Sequence, residues 1–541
     1  MGSMKTPGVY IIEKNAFPNS VVEAPTAIPA FIGYTERAVN GNDDLTNVPW
    51  KISSMTEYIQ YFGGGPDLKF EVDIKDGSLC IEGKNSYTLY YNMMLFFANG
   101  GGACYIVSVG SYKDALKKDS MITGLGKLTL EQEITLVAIP EAVNLSSSEE
   151  FKDIQQQMLS HCGNTMKNRF ALLDIYPKAN EKTKIEDQVN FFCDNIGSSF
   201  LSYGAAYFPW LNTSIVGERD LKGDMFTWTD NAYIRRTQLD AGFAEIVESL
   251  FVEEFEIKEN VVKNGHTFKL EEVVEGDIYA DSDTEKTKVI GRIESIKDIK
   301  EDGNEEVIKK NVKVVWLFPN NVDKQALHQA LYNVSSVYKQ AIKGVLKNLN
   351  LFPPSAAMAG IYTMVDNSRG VWKAPANVTL NYVGSTVEDI DDEQQAELNV
   401  PIHGKAVNVI RLFRGEGVKV WGARTLDGNS LDWRYVNVRR TLLFLEESIK
   451  NAARAYVFEP NDAGTWINMK CMIDSFLRSV WKRGGLAGAT PEDAFEVHIG
   501  LGDTMTAEDI LDGIMRITVL VAVTHPAEFI EITFQQQAQK S

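Results

Sequence analysis

The C-terminal end of this 541-residue chain carries two strand-like segments that a proline separates. The first, residues 517–523, consists of apolar and β-branched residues throughout, so we expect a strand that is covered on both faces. Pro526 follows, and proline cannot lie in the middle of a sheet. Beyond it, strand-forming side chains alternate along residues 529–534. A terminal strand that is separated from its own core in this way can be donated to a neighbouring subunit.

The N-terminal end has the same character. Residues 6–13 predict a short strand whose two faces alternate, and an irregular, proline-containing connection leads from it to the next predicted strand. Because terminal strands are usually tied into the local sheet, pairing of both arms within their own subunit is the alternative.

The chain is strongly acidic. It contains 73 acidic and 54 basic residues, which gives a formal net charge of −19. A nucleic-acid-binding protein needs a basic stripe, and an anionic membrane surface attracts basic segments, so this charge argues against both partners. No apolar run approaches the roughly 20 residues that span a bilayer. We therefore predict no nucleic acid contact and no direct membrane insertion, whereas an electropositive protein partner is compatible with the charge.

The five cysteines are scattered, and no pair has C-x-x-C spacing. This pattern indicates free thiols in a reducing cytosol. The first 20 residues contain no charged segment followed by an apolar block, so we expect no signal peptide.

No motif for catalysis, cofactor binding or metal binding is evident. A Walker motif is absent, and the glycines at 415 and 417 lie between two predicted strands, where a hairpin turn is expected. The six histidines lack metal-ligand spacing. Cys471 or a serine could form a dyad with His498 or His525, but no nucleophile-elbow sequence supports one. We predict no catalytic, cofactor-binding or metal-binding residues.

Buried strands are predicted at residues 103–109, 134–139 and 170–175, with a helix at 151–166 between the last two. Strand, helix and strand at this spacing indicate an α/β layer.

Residues 251–310 differ from the rest of the chain. They contain 17 acidic and 10 basic residues, so 27 of 60 are charged, against 23% for the whole chain. Their apolar residues are isolated, so we expect a peripheral, partly β insertion without a core. A mobile loop is the alternative.

The segments at 352–360 and 366–377 are punctuated by proline and glycine and show little periodicity, so we expect them to be extended. Two helices are predicted after residue 400. Residues 435–458 form a long one, and the apolar residues from 469 to 481 recur at the spacing of an amphipathic helix. A short acidic helix is predicted at 506–513.

Several segments resemble contractile tail sheath proteins of phages and of extracellular contractile injection systems. These segments are residues 6–13, 26–33, 206–210, 353–360, 370–377 and the block 399–534.

The resemblance implies a mixed α/β, multidomain fold. Its core is built from N-terminal and C-terminal parts, with inserted outer domains and terminal β-strand arms. The expected divisions are an N-terminal strand arm at 1–25, an α/β sheath domain with outer insertions at 26–210, a charged peripheral insertion at 211–320, a helix and extended return segment at 321–399, a C-terminal core domain facing the inner tube at 400–527, and a C-terminal strand arm and tail at 528–541.

The resemblance also implies a structural role. Such subunits form a helical sheath of stacked rings around an inner tube, and stored conformational energy drives the tube through a target envelope. The implied partners are other copies of the chain, the inner tube protein, and baseplate and terminal cap proteins. The implied setting is assembly in the bacterial cytoplasm, as part of a phage tail or a phage-like injection particle, with no enzyme activity and no cofactor.

In this family, strands from two different neighbours complete a sheet in a third subunit. The resemblance therefore implies inter-subunit strand contacts at Val9, Tyr10, Ile11, Ile12, Phe529, Ile530, Ile532 and Phe534. The acidic helix lies about where the family places its tube-facing helix, so Glu508, Asp509 and Asp512 are candidates for contact with a basic patch on the tube. The alternative is a solvated helix N-terminus.

Two other functions stay open at this point. One is a different helical or shell subunit, such as a tube or capsid protein, and the other is a soluble α/β enzyme.

Overall fold

The computed structural model describes residues 21–75, 78–83, 85–177, 184–229, 252–263, 266–281, 288–300, 307–316, 324–401 and 403–533. The chain divides into two compact units. The first contains Met1–Gly65, Tyr87–Asn212 and Phe352–Ser541, and the second contains Pro66–Ser86 and Thr213–Leu351. The predicted mixed α/β, multidomain class is confirmed.

A nine-stranded sheet forms the centre of the first unit. Its strands, in spatial order, are Val378–Thr379, Gly417–Val420, Val407–Phe413, Gly204–Phe208, Phe170–Leu173, Leu136–Ala138, Pro29–Thr35, Cys104–Ser111 and Trp50–Ile52. The inner six strands run parallel, and antiparallel strands flank them on both sides. Parallel strands are covered on both faces, which explains why the predicted strands are continuous apolar runs.

Two buried helices, Leu89–Ala98 and Ser355–Arg369, pack against each other in this unit. The contact is close, because a Cβ added at Gly360 would lie 2.6 Å from the backbone oxygen of Phe96. The second helix corrects the expectation of extended segments at 352–360 and 366–377. Most of its residues are buried, so its sequence lacks the one-sided periodicity that marks an amphipathic helix.

Each of these helices begins at a buried carboxylate. Glu141 accepts hydrogen bonds from the backbone N–H groups of Thr88 and Leu89, and Asp174 accepts them from the backbone N–H and side-chain hydroxyl of Ser355. Burial raises the pKa of both carboxyl groups to about 7, although these hydrogen bonds oppose the shift. The carboxylates supply acceptors for N–H groups that a helix start leaves unpaired.

The remaining elements of the first unit are shorter or more peripheral. The helices are Met55–Phe62, Lys118–Lys127, Ser148–Ser160, Ile185–Asn195, Asp392–Asn399, Val436–Ala453, Ala463–Lys482, Pro491–Ala494 and Ala507–Leu511. The strands are Val39–Asn40, Asp43–Asp44, Val383–Thr386, Phe495–His498 and Thr518–Val521. None of the described helices is long and apolar enough to cross a bilayer.

The second unit contains the charged insertion. Four antiparallel strands form its sheet, in the order Val252–Ile257, Val307–Trp316, Lys288–Lys300 and Ile278–Asp281. The unit also contains the sheet of Phe70–Lys75, Ser78–Glu82 and Phe226–Trp228, the hairpin of Asn260–Lys263 and His266–Lys269, and the helices Lys324–Val334 and Ser336–Leu349.

The insertion is β-structured as predicted, but the expectation that it lacks a core is wrong. Phe255, Ile293 and Trp316, which lie on three different strands, are buried. Each strand contributes only a few alternating apolar side chains, so the residues are isolated in sequence and come together only in the sheet. The described part of the insertion is therefore not a mobile loop.

A buried ion pair joins the Val436–Ala453 helix to the Ser355–Arg369 helix. Arg440 donates to both carboxylate oxygens of Asp366, at 2.9 and 2.6 Å, and also to the backbone oxygen of Thr26. Its guanidinium lies 4.6 Å from the centre of the Tyr362 ring. Both charged side chains are almost fully buried. The pair therefore attaches the Val436–Ala453 helix to the Ser355–Arg369 helix and to the segment that precedes the Pro29–Thr35 strand.

We expect Asp366→Asn to destabilise the protein by about 3–5 kcal/mol, because it leaves the buried Arg440 without its counter-charge. Chemical denaturation of the purified chain measures this loss. Asp392→Asn is the matched control, since Asp392 is exposed and pairs with Arg411 at the surface. The control should change stability by less than about 1 kcal/mol. Equal effects of the two substitutions would contradict the role given to burial.

Candidate functional site

A two-stranded antiparallel sheet lies near the C-terminal end of the first unit. Phe495–His498 pairs with Thr518–Val521, and Val497 is opposite Val519. No third strand joins this sheet among the described residues. A two-stranded sheet is marginally stable by itself, so it depends on the elements that cover it.

Helices cover one face of this sheet. Phe495 and Val497 pack in a core with residues of the Val436–Ala453 and Ala463–Lys482 helices, and Val519 and Val521 are partly buried against the same core. The other face is open, and Leu520 is 52% exposed. The expectation that 517–523 is covered on both faces is therefore wrong, because only one layer of helices packs on this strand.

The Ala463–Lys482 helix has the predicted amphipathic form. Its buried residues are Met469, Met472, Ile473, Phe476, Leu477 and Val480. The long helix before it ends earlier than predicted, at Ala453, and a 3₁₀ turn at Arg454–Tyr456 follows. These two helices provide the surface on which the small sheet rests.

A cluster of hydrogen bonds anchors the chain just after this sheet. Glu528 accepts two bonds from Arg424 Nε and one from Arg424 Nη2, at 3.1, 3.2 and 2.6 Å. Asn399 and Tyr435 donate to the same carboxylate, at 2.9 and 3.2 Å. Burial disfavours the ionised form of Glu528, but bonds from Arg424 and Asn399 outweigh it and lower its pKa. We call these four residues the Glu528 anchor.

Sequence reasoning missed this anchor. Nothing in the sequence marks Arg424 as buried, but in the structure its side chain is almost fully buried. A buried charge requires a partner, but the partner lies 104 residues away along the chain.

Beyond the anchor, the chain leaves the body of the protein. Residues 529–533 have no regular secondary structure, and Phe529, Ile530 and Ile532 are 77%, 79% and 69% exposed. Residues 529–533 of the strand predicted at 529–534 therefore form no strand within this subunit. Phe534 lies outside the described residues, as do Val9, Tyr10, Ile11 and Ile12.

The N-terminal segment approaches the same helices. The Ala24 N–H donates to Ser448 Oγ at 2.9 Å, Glu23 pairs with Arg483, and Val21 packs against the core beneath the small sheet. The described chain therefore begins on the C-terminal helices, close to the sheet with open edges.

The acidic helix is shorter than predicted and spans Ala507–Leu511. Asp509 accepts hydrogen bonds from the backbone of Thr506, at the helix start, and from Arg516. The Thr506 backbone bond and the Arg516 bond lower the Asp509 pKa to about 2. Glu508 and Asp512 are exposed. Of the three predicted tube-facing residues, Asp509 is thus engaged within the subunit, and the other two face solvent.

The described residues gather no catalytic constellation from the histidines considered above. His498 lies between Glu496 and Asp503, and His525 contacts the backbone oxygen of Val523. Within the described part of the chain, no group of three or more His, Cys, Asp or Glu residues could hold a metal ion. The glycines at 415 and 417 form the turn between two paired strands.

Replacing Glu528 by Gln should loosen the anchor by about 2 kcal/mol, because charged hydrogen bonds become neutral ones. Hydrogen exchange of the peptide 524–533, followed by mass spectrometry, should then be faster. Because the folded-state pKa is lowered, the carboxylate contribution is complete above the ordinary value of 4.5 and is lost as the pH falls through the folded pKa. The wild-type peptide should therefore approach the variant only below pH 4.5.

Glu531→Gln is the control for this prediction, since Glu531 is exposed beyond the anchor. It should leave exchange unchanged. Wild-type exchange rates in the Glu528→Gln protein at neutral pH would refute the anchoring role.

Comparison with known families gives a match in this region. The profile of the phage tail sheath C-terminal domain covers residues 429–537. The tail sheath protein of Vibrio phage KVP40 is 25% identical over 134 residues, and a putative prophage major tail sheath protein of Pseudomonas aeruginosa is 29% identical over 100 residues. These alignments cover 25% and 18% of this chain. They span only 20% and 25% of the two relatives' own lengths.

Comparison with solved structures extends the likeness to the whole chain. The contracted sheath of the PVC extracellular contractile injection system has 25% identity and a TM-score of 0.55, and the alignment covers 99% of both chains. The contracted helical sheath of the anti-feeding prophage has 25% identity and a TM-score of 0.56, over 99% of this chain and 100% of that one. The C-terminal part of the chain therefore matches the tail sheath family, and the fold of nearly the whole chain is similar to that of contractile sheath proteins.

Proposed function

We propose that this protein polymerises helically around an inner tube, and that its contraction drives the tube through a target envelope. The observation that carries the proposal combines two features. The sheet of Phe495–His498 and Thr518–Val521 has two strands among the described residues, and the apolar residues that follow it, 529–533, form no strand. Both belong to a fold that resembles sheath subunits solved in the contracted state.

The arms of neighbouring copies would complete the sheet of Phe495–His498 and Thr518–Val521. Among the described residues these two strands pair only with each other, and a single bridge between Leu486 and Val523 follows the second strand. Strand addition would satisfy the backbone groups along the remaining edges. The donated residues are those predicted from the sequence, Val9, Tyr10, Ile11 and Ile12 at one end and Phe529, Ile530, Ile532 and Phe534 at the other. The alternative, pairing of the C-terminal arm inside its own subunit, is not favoured, because residues 529–533 form no strand there.

The free energies of hydrogen bonding, chain ordering and apolar burial indicate which interaction holds the arms on a neighbouring subunit. Five added ladder hydrogen bonds contribute about 5 kcal/mol. Ordering five residues costs about the same or more, at about 1–2 kcal/mol per residue. Each apolar side chain that becomes fully buried adds roughly 1.5–3 kcal/mol. The exposed Ile530 and Ile532 must therefore be buried on assembly for the arm to bind.

The implied partners are other copies of this chain, the inner tube protein, and baseplate and terminal cap proteins. The conformational energy of the lattice would drive contraction, so the proposed function requires no catalytic residue and no cofactor. Assembly would take place in the bacterial cytoplasm, as part of a phage tail or a phage-like injection particle.

Ile532→Asp should stop polymerisation without unfolding the subunit, because Ile532 is exposed in the monomer and must be buried in the lattice. Ile11→Asp should act likewise at the other arm. Negative-stain electron microscopy and sedimentation measure assembly. The Ile532→Asp monomer should lose less than about 0.5 kcal/mol of stability, as is usual for exposed positions.

Thr533→Asp is the matched control, since it places the same charge on the opposite face of the arm. We expect it to assemble better than Ile532→Asp. Sheaths of normal length and striation from Ile532→Asp would count against strand donation.

We further propose that the end of the short acidic helix touches a basic patch on the tube. Glu508 and Asp512 are exposed there. The double substitution Glu508→Lys and Asp512→Lys should reduce co-assembly of the sheath around purified tubes and should leave the melting temperature unchanged. Asp509→Asn is a folding control, since the Asp509 carboxylate accepts hydrogen bonds from the Thr506 backbone N–H and from Arg516 within the subunit. Undiminished co-assembly of the double variant would refute this contact.

A further inference from the structure

Arg439 lies near the start of the Val436–Ala453 helix and is only 5% exposed. Its guanidinium lies 3.8 Å from the centre of the Tyr203 ring and 4.6 Å from that of Trp433. Contacts with two aromatic rings restrict the side chain and fix the direction of its N–H groups.

This guanidinium has no hydrogen-bond acceptor and no ion-pair partner among the described residues, and its Nε is buried without a partner. The other two well-buried arginines of the C-terminal half each have a carboxylate, because Arg424 binds Glu528 and Arg440 binds Asp366. A buried cation without a counter-charge is costly. Arg439 therefore lacks a counter-charge in the described part of the subunit.

The nearest candidate within the subunit is Glu446, two turns further along the same helix. Its charge acts on Arg439, but the two side chains form no ion pair. Burial lowers the Arg439 pKa, and the Tyr203 and Glu446 charges only partly oppose this effect. No carboxylate of the described subunit thus neutralises the guanidinium.

The surroundings of Arg439 have the composition of a protein interface. Exposed apolar residues lie close in sequence to both rings. Phe200 precedes Tyr203 by three residues and is 37% exposed, and Leu431 precedes Trp433 by two residues and is 78% exposed. Tyrosine, tryptophan and arginine are enriched among the residues that contribute most to binding energy at interfaces, and the contacts around them exclude water. Because Nε is buried, a partner would bind end-on to the two terminal nitrogens.

We propose that Arg439, held between Tyr203 and Trp433, is a docking point for a carboxylate of a second copy of this chain. A second copy fits because the chain carries 73 acidic residues and a net charge of −19, so its surface offers carboxylates. The assignment of this occupant rests on the proposed self-assembly. The contact is separate from strand donation, since it uses side chains of the Val436–Ala453 helix and its neighbours.

The first experiment tests the carboxylate site on the unassembled chain. Melting temperatures are measured in sodium acetate and in sodium chloride at equal ionic strength. Acetate should raise the melting temperature of the wild type and of Glu446→Gln, relative to chloride, but not that of Arg439→Gln. Because each variant is compared with itself, a change in its basal stability does not affect the result. An equal acetate effect in Arg439→Gln would overturn the site.

The second experiment tests the occupant. The chain is assembled without any other protein, and the concentration above which sheaths form is measured for each variant. Arg439→Gln should raise that concentration about tenfold, the effect of losing one charged hydrogen bond of about 1.5 kcal/mol. Arg439→Lys should be intermediate, because it keeps the charge but loses the planar pair of donors. Glu446→Gln should match the wild type.

The outcomes of these experiments distinguish the docking point at Arg439 from the proposed self-assembly of the chain. Wild-type sheaths together with unchanged assembly of Arg439→Gln overturn the docking point alone. A defect that appears only when tube protein is present overturns the second copy as the occupant. A wild-type chain that never assembles overturns the proposed function and this occupant together, while the acetate measurement still decides whether Arg439 binds a carboxylate.

Discussion

The open edges of a two-stranded sheet are the constraint on which the rest of the structure depends. Phe495–His498 and Thr518–Val521 satisfy only the backbone groups that face each other. Backbone N–H and C=O groups that become buried must find partners. Two helices stabilise one face of the sheet, so it persists in the single subunit and still offers its edges to further strands. A sheath lattice can use such a sheet as its joint, since strand addition needs main-chain groups more than particular side chains.

Ion pairs determine where both ends of the described chain lie relative to this two-stranded sheet. Arg440 binds Asp366 and the backbone of Thr26, and Arg424 binds Glu528. A buried pair adds little net stability compared with apolar packing, but the cost of separating its charges is large. Such pairs therefore determine where a segment lies more than they determine overall stability. The apolar arm begins directly after the Glu528 anchor, so its starting point is set, while residues 529–533 form no strand.

The sequence predicted elements whose signal is local. The Ala463–Lys482 helix shows a one-sided apolar pattern, and the strands Cys104–Ser111, Leu136–Ala138 and Phe170–Leu173 are largely apolar runs, so these elements were predicted. The Ser355–Arg369 helix was missed because burial on all sides removes its periodicity. The core of the charged insertion was missed because its apolar residues are few on each strand and meet only when the strands pair.

By itself, the sequence determined those elements that have a one-sided or continuous apolar pattern, the resemblance to sheath proteins and the apolar side chains of the two arms. Each of these depends on residues within a few positions of one another, where side-chain periodicity reports the local backbone. Only the tertiary structure decided that helices cover one face of Thr518–Val521, that Arg424 holds Glu528 across 104 residues, and that Arg439 pairs with no carboxylate of the described residues. The physical reason is that burial and charge pairing depend on which distant segments pack together, and local periodicity carries no information about that.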